Sequence, residues 1–255
     1  MIPKTIHYCW YGNGAYNDVL KKCLSSWKEK LPDYKIKKWD ETNTPFDKLP
    51  FLRLLYKQKK WAFISDYMRL YALYQEGGIY LDTDIEVLKP FDDLLTETVF
   101  FGIQDDIKLS VATGFIGSEK SNSFILKFLH RVEKKQKLTF NAMGGPNVLT
   151  KLLSETQELK AIDIQKINGV TIFSPEYFYP LPWKVSFDEA PKHITKKSFC
   201  IHWWQESWTT KKHDYKYYID SLLRKIEKLP LVINSTLKYT FNNKSFYHIC
   251  NLNDI

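Results

Sequence analysis

Four cysteines in 255 residues, Cys9, Cys23, Cys200 and Cys250, stand far apart, with no CxxC pair and no Cys/His ligand spacing. That scarcity excludes a zinc ribbon and leaves no disulfide framework to hold a small fold together. No stretch reaches the roughly 18 apolar residues of a membrane span. Met1-Ile2-Pro3-Lys4 opens without the apolar region of a signal peptide, so the expectation is a cytoplasmic protein, at most peripheral to the inner face of a membrane. Internal repeats, low-complexity segments, dense basic blocks and nucleic-acid motifs are also missing. The net charge of +8, from 37 Lys and Arg against 29 Asp and Glu, is spread over pairs such as Lys21-Lys22, Lys59-Lys60 and Lys134-Lys135. A surplus spread in this way reads as a solvated face, with an anionic membrane or polyanionic substrate as the competing reading.

What is present is a soluble globular composition, 44% hydrophobic and 26% charged, in a chain long enough for one large domain with a sizeable core. Aromatics at 16% suit stacking on sugars or bases as well as a filled core. "TIHYCWYG" (Thr5 to Gly12) reads as a strand ending in a Gly turn. Asn17 then caps a helix with Leu20, Cys23, Leu24, Trp27 and Leu31 at helical spacing, and Tyr34 to Asp40 is the next strand. A second helix covers 61 to 76 and is ended by Gly77-Gly78, which turns the chain into "IYLDTDIEVL". Further strands are expected near Val99 to Gly102, Gly114 to Gly117 and Val170 to Phe173. Helices are expected near Ser121 to Lys135, after Gly145-Pro146 and from Asp214 to Lys228. The Pro-rich Ser174 to Trp183 reads as a structured loop, and Leu231 to Ile255 as a terminal strand pair or tail. Strand, helix and strand in alternation predict an α/β sheet.

Asp82 and Asp84 follow the apolar Gly78-Ile79-Tyr80-Leu81, and the next basic residue, Lys89, is too far along a strand to pair with either. Carboxylates at the end of a buried strand need a positive partner. On an extended strand the two would point to one side, with Thr83 turned away, and present hard oxygen ligands for Mn²⁺ or Mg²⁺. Glu86 and Val87 exclude a calcium EF-hand loop. Glu86 also occupies the position where a haloacid-dehalogenase-type phosphatase needs Thr or Val, and that class's later GDxxxD is missing. Asp66 and Arg69, three apart, share a face of the preceding helix, and Tyr80 is expected on the side of both carboxylates.

"SDYMRLYALYQEGGIYLDTD" (Ser65 to Asp84) resembles the SDxxRxxxLxxxGGxYxDxD signature of the DxD sugar-transferase family, family 32 of the glycosyltransferases. This family is related to capsule and lipopolysaccharide transferases, yeast-type α-mannosyltransferases and clostridial glucosylating toxins. "IPKTIHYCWYG" resembles the family's opening and "IHWWQESW" (Ile201 to Trp208) its closing motif, so the resemblance spans about positions 2 to 208. It implies an α/β GT-A fold filling 1 to 255. A Rossmann-like nucleotide-sugar-binding half (about 1 to 120) would be followed by a contiguous acceptor-side half (about 121 to 210) and a C-terminal helix and tail (about 211 to 255).

The same resemblance implies roles. Trp10 would stack on the base, with Tyr11 beside it in the donor site. Asp66 and Arg69 would hold ribose and sugar or diphosphate, and Tyr80 would touch the nucleotide. Asp82 would meet the ribose and the metal, Asp84 would ligate the metal directly, and His202 could supply a further ligand. Ser207 and Trp208 would close over the diphosphate. Asp82, Asp84 and Arg69 form the catalytic set; Asp105 and Asp106 read better as a polar loop than as a nucleophile. Asn141 and Gly144-Gly145-Pro146 fall where relatives carry an acceptor-side Gly-Pro.

The expected activity is metal-dependent, retaining transfer from a nucleotide-sugar, most simply a UDP-sugar, to a saccharide or lipid-linked saccharide in capsular or cell-surface polysaccharide synthesis. No nucleic acid is expected as a partner. A binding module without turnover and a metal phosphohydrolase are the alternatives.

Overall fold

The computed structural model describes residues 1–105, 107–139, 145–183 and 185–205, and Met1–Gln205 form one compact unit. Ser207, Trp208, Asn141, Gly144, Asp106 and the expected helix from Asp214 lie outside the described residues.

The chain opens with β1 (Thr5–Cys9), α1 (Asp18–Lys30) and β2 (Lys35–Trp39), with β2 parallel to β1. Asn17 caps α1 as its sequence predicts, its Oδ1 accepting from Leu20 N–H at 2.9 Å. The short helix α2 (Pro50–Lys57), with Pro at its first turn, has no counterpart in the sequence reading. Next come α3 (Trp61–Glu76), β3 (Gly78–Leu81) and β4 (Ile85–Val87), then β5 (Val99–Asp105), β6 (Ser110–Val111), β7 (Phe115–Ser118) and α4 (Ser123–Thr139). The described chain continues through α5 (Gly145–Ser154), β8 (Ile164–Ile167), β9 (Val170–Phe173) and α6 (Pro175–Phe178). A last helical turn, α7 (Ala190–His193), precedes β10 (Cys200–His202). The Pro-rich loop thus contains one helical turn, α6.

The main sheet runs β2-β1-β3-β7-β5-β9-β8, with β6 attached to β5. The pairings make β2, β1, β3, β5 and β9 run one way, while β7 and β8 run back. A separate two-stranded ribbon pairs β4 with β10. The run Ile79 to Leu88 is therefore not one strand. It leaves the main sheet at Leu81, turns through Asp82-Thr83-Asp84 and enters the ribbon at Ile85.

Side chains alternate across β3, as period-2 geometry requires. Tyr80 faces the core beneath α3, while Ile79 and Leu81 face the opposite core with Trp27, Phe91 and Phe178. Gly78 has φ +109°, and a Cβ there would lie 2.5 Å from the carbonyl oxygen of Thr5, so only glycine lets β3 begin this close to β1.

His7 fastens the same junction. It is fully buried, its Nε2 lies 2.8 Å from Gly77 O, and Trp39 Nε1–H donates to its Nδ1 at 3.1 Å. That pair of contacts fixes a neutral ring with the proton on Nε2. Burial pushes the His7 pKa below 6.5, outweighing the Gly77 hydrogen bond and Glu76. A depressed pKa of this kind gives stability that is fully present above 6.5 and lost as pH falls through the folded value. Thermal melts of the wild type are expected to drop below pH 6.5, and His7→Gln should flatten that acid limb. Superimposable acid limbs would show that the junction does not titrate.

Candidate active site

The site is built where β3 ends and α3 begins. Asp66 and Arg69 lie one helical turn apart on α3, so the side chains share a face. Arg69 is almost completely buried, and its donors are all directed at protein oxygens. Nε donates to Ser65 O (3.2 Å), and Nη1 donates to Thr113 O (2.6 Å) and Thr113 Oγ1 (3.2 Å). Nη2 lies 3.2 Å from Asp66 Oδ1 and 3.4 Å from Asp82 Oδ1. The guanidinium also sits 4.7 Å from the Tyr80 ring centroid. Burial opposes its charge, but Asp82, Tyr80 and Asp66 more than offset that and hold Arg69 firmly protonated.

Asp66 receives a second contact, from the N–H of Gly145 at 3.1 Å, at the start of α5, where the helix dipole favours negative charge. Burial nevertheless pushes its carboxyl above the usual range. Asp82 accepts from the Tyr80 hydroxyl at 2.9 Å and remains 29% exposed, the most open member of the group.

Asp84 turns elsewhere. Its Oδ1 lies 3.0 Å from His202 Nε2, and its Oδ2 accepts from Gln205 N–H at 2.7 Å. Burial raises the Asp84 carboxyl, but His202 and the Gln205 N–H outweigh it and leave the pKa low. Conversely, burial lowers the His202 pKa and Asp84 more than restores it, so the imidazole is more basic than usual.

These positions correct the extended-strand expectation for the DxD motif. Asp82 to Ile85 form a turn, closed by Ile85 N–H donating to Asp82 O at 3.1 Å, so the two carboxylates do not simply stand side by side. Asp82 is directed to α3 and Asp84 to β10. Their positive partners are Arg69 and His202, 13 and 118 positions away in the chain, which a search for neighbouring basic residues could not find. Tyr80 serves Asp82 alone.

Of the other expected site residues, Trp10 is half-buried at the end of β1, with Nε1–H donating to Gly14 O at 2.8 Å and its ring 4.8 Å from that of Tyr16. Tyr11 departs from expectation. It is buried in the core, its hydroxyl 2.7 Å from Thr44 Oγ1, because alternation along the strand end turns it away from the side Trp10 occupies. Asp105 accepts from the N–H groups of Ile107 and Lys108, the local turn of a polar loop.

Several residues that build the site were not singled out in the sequence. A Cβ on Gly114 would meet Asp82 Oδ2 at 2.7 Å, so this glycine makes room for the carboxylate. Thr113 holds Arg69, and Tyr179 accepts from Phe115 N–H at 2.9 Å while packing edge-on to His202. Trp204 also packs edge-on to His202, with ring centroids 4.1 Å apart, in a left-handed backbone conformation (φ +50°) unusual for a non-glycine. The clue available was a small-residue break, "ATG", ahead of an apolar strand.

Among the described residues, no three His, Cys, Asp or Glu side chains converge to enclose a metal ion on their own. Mg²⁺ and Mn²⁺ do not require such a cage, since one or two carboxylates with water and phosphate oxygens complete their shell. Asp82 and Asp84 supply hard oxygens at the two ends of the DxD turn, and the His202 imidazole lies against Asp84. The buried His202 Nδ1 meets no hydrogen-bond partner, which leaves the ring's orientation to Asp84 and the flanking aromatics. This donor set fits a substrate-completed divalent cation site. A separate cavity of about 440 Å³, lined by Lys22, Glu86, Phe187 and Trp203, lies on the outward side of the β4–β10 ribbon and does not include these groups.

Residues 17–101 match the family described as the glycosyltransferase sugar-binding region containing a DXD motif, and 117–228 match the alpha 1,4-glycosyltransferase conserved region. Both matched regions are glycosyltransferase regions, the first bearing the DXD motif, and together they span most of the chain. The lactosylceramide 4-alpha-galactosyltransferase of Mus musculus is 32% identical over 151 residues, 56% of this chain and 41% of that protein. Inositol phosphoceramide mannosyltransferase 3 of Schizosaccharomyces pombe is 25% identical over 190 residues, 69% of this chain and 51% of that one. The chain thus spans about two fifths to one half of the length of these relatives. Among solved structures, the PaToxG glycosyltransferase superposes with a TM-score of 0.50 at 21% identity, covering 60% of this chain and 69% of its own. The fold is the GT-A type that the sequence led us to expect. No helix among the described residues is long and apolar enough to cross a membrane.

Proposed function

We propose that the chain is a metal-dependent, retaining glycosyltransferase that moves a hexose from a nucleotide-sugar, a UDP-sugar in the simplest case, to a saccharide or lipid-linked saccharide. The observation that carries this reading is the linkage of the two DxD carboxylates to separate basic partners, Arg69 and His202, around one strand end. The relatives, a lactosylceramide galactosyltransferase and an inositol phosphoceramide mannosyltransferase, support a glycolipid acceptor. Synthesis of a cell-surface saccharide is the matching role, and the cytoplasmic leaflet of a membrane the matching place.

In this mechanism Trp10 receives the base and Asp82 the ribose. Asp66, held by Arg69 and by the N-terminus of α5, would accept hydrogen bonds from donor hydroxyls. A divalent cation held by Asp84, Asp82 and His202 would act as a Lewis acid, stabilising negative charge on the departing diphosphate. Arg69 works mainly by fixing the two carboxylates, because its own N–H groups are committed to protein oxygens. Preorganisation of this kind lowers the barrier without rearrangement during the reaction. The acceptor hydroxyl then takes the anomeric carbon as the nucleoside diphosphate departs.

Nucleotide release from a panel of UDP- and GDP-sugars, with Mn²⁺, Mg²⁺ or EDTA, tests the proposal. One donor should be turned over with metal and spared in EDTA. Turnover of simple phosphate esters instead would support a phosphohydrolase, and binding of a nucleotide-sugar without turnover, even with glycolipid acceptors added, a binding module.

A further inference from the structure

The positive charge that looks scattered in the sequence is gathered on one face of the fold. Residues 50–60, comprising α2 and its exit, and residues 123–139, which form α4, contain nine Lys and Arg and a single carboxylate, Glu133. Their net +8 equals that of the whole chain, so the remainder is neutral overall. Both helices pack on α3. The Lys137 ammonium lies 5.3 Å from the Phe51 ring centroid, joining the end of α4 to the start of α2. Lys127, Arg131 and Lys134 follow i, i+4, i+7 spacing on the exposed side of α4, opposite buried Phe128 and Val132. On α2, Arg53 and Lys57 are exposed and flank Leu54, an apolar side chain that is 40% exposed. Asp47 and Glu155 pair with Arg53 and Arg131, and counting both still leaves this face at +6.

We infer that the α2–α4 face docks on an anionic lipid surface. Clustered Lys and Arg are attracted by acidic headgroups, and a leucine set among them gains by entering the interface, whereas a polyanion in water offers it nothing. The face also reaches the candidate site. α4 runs along α3 from the Ser121 N–H bond to Tyr74 O, at one end, to the Gln136 Nε2–H bond to Phe63 O, at the other, three residues before Asp66. Docking there would bring the site's edge to headgroup level, which on the transferase reading is where a lipid-linked acceptor presents its sugar. The lipid contact itself does not depend on that reading.

Sedimentation of the full chain with phosphatidylcholine vesicles, with and without phosphatidylglycerol, tests the inference. Binding is expected only with the anionic lipid. It should fall steeply between about 0.1 M and about 1 M salt, as the screening length shrinks from about 10 Å to about 3 Å. Lys57→Glu/Lys127→Glu/Lys134→Glu should weaken it about tenfold or more. The equally charged control Lys28→Glu/Lys35→Glu/Lys192→Glu should retain most of it. Leu54→Ser should weaken vesicle binding while leaving binding to soluble heparin unchanged. Equal losses in both triple variants, absence of binding to anionic vesicles, or indifference of vesicle binding to Leu54→Ser would each overturn the inference. Donor hydrolysis in detergent-free solution, read separately, should be the same in wild type and all variants, so a failed transferase assay leaves the vesicle result standing.

Discussion

Asp84→Asn is expected to lower metal-dependent nucleotide release by about 100-fold or more, equivalent to roughly 2.7 kcal/mol of barrier, while the protein stays folded. The separation follows from geometry. Asparagine keeps an oxygen to accept the Gln205 N–H, and its amide N–H can donate to Nε2 of a neutral His202. The fold therefore loses only one charge-assisted contact, on the order of 1–3 kcal/mol. What disappears is the anionic oxygen proposed to bind the cation, and with it the influence that makes His202 more basic than usual. Calorimetric titration with Mn²⁺ should show weakened binding, beside a melting temperature lowered by only a few degrees. Turnover within a few-fold of wild type would remove Asp84 from the proposed cation site and leave the DxD motif a structural turn.

Arg69→Met should produce the largest fall in stability of any change at this site. The guanidinium is the shared counterion of Asp66 and Asp82, and the Asp66 side chain is mostly buried. Removing one member of a buried charge network leaves the others uncompensated, at about 3–5 kcal/mol. For a domain of this size each kcal/mol corresponds to about 2–4 °C, so a drop in Tm of roughly 10 °C is expected. The two N–H bonds to Thr113 vanish as well, freeing the β6–β7 turn that supplies Gly114. Arg69→Lys keeps a charge but not the five-donor fork, so it should recover part of the stability and little of the activity. A melt of Arg69→Met within about 2 °C of wild type would mean that Asp66 and Asp82 do not rely on this cation.

The contrast between those two residues shows how much of the site could be read from the chain. Asp66, Arg69, Gly77-Gly78, Tyr80, Asp82 and Asp84 lie within 19 consecutive positions, and local rules place most of them. A 3.6-residue period puts Asp66 and Arg69 on one face, a glycine pair ends the helix, and apolar alternation starts the strand. The same rules misplaced Asp84, since they continued a strand through a turn that the ribbon with β10 imposes. The family resemblance, not these rules, put Tyr11 in the donor site, and the packing of Thr44 and the core against β1 draws it inward instead.

The sequence by itself determined the α/β class, the long helix α3, its glycine stop and the carboxylate motif that follows, because each depends on interactions within a few residues. Tertiary structure alone decided that His202 would face Asp84, that Thr113 would hold Arg69 and that α5 would aim an N–H at Asp66. It also decided that lysines from two distant helices would share one face. Those contacts join positions tens to more than a hundred residues apart. They arise only when strand order and helix packing close the sheet, and no local periodicity carries that information.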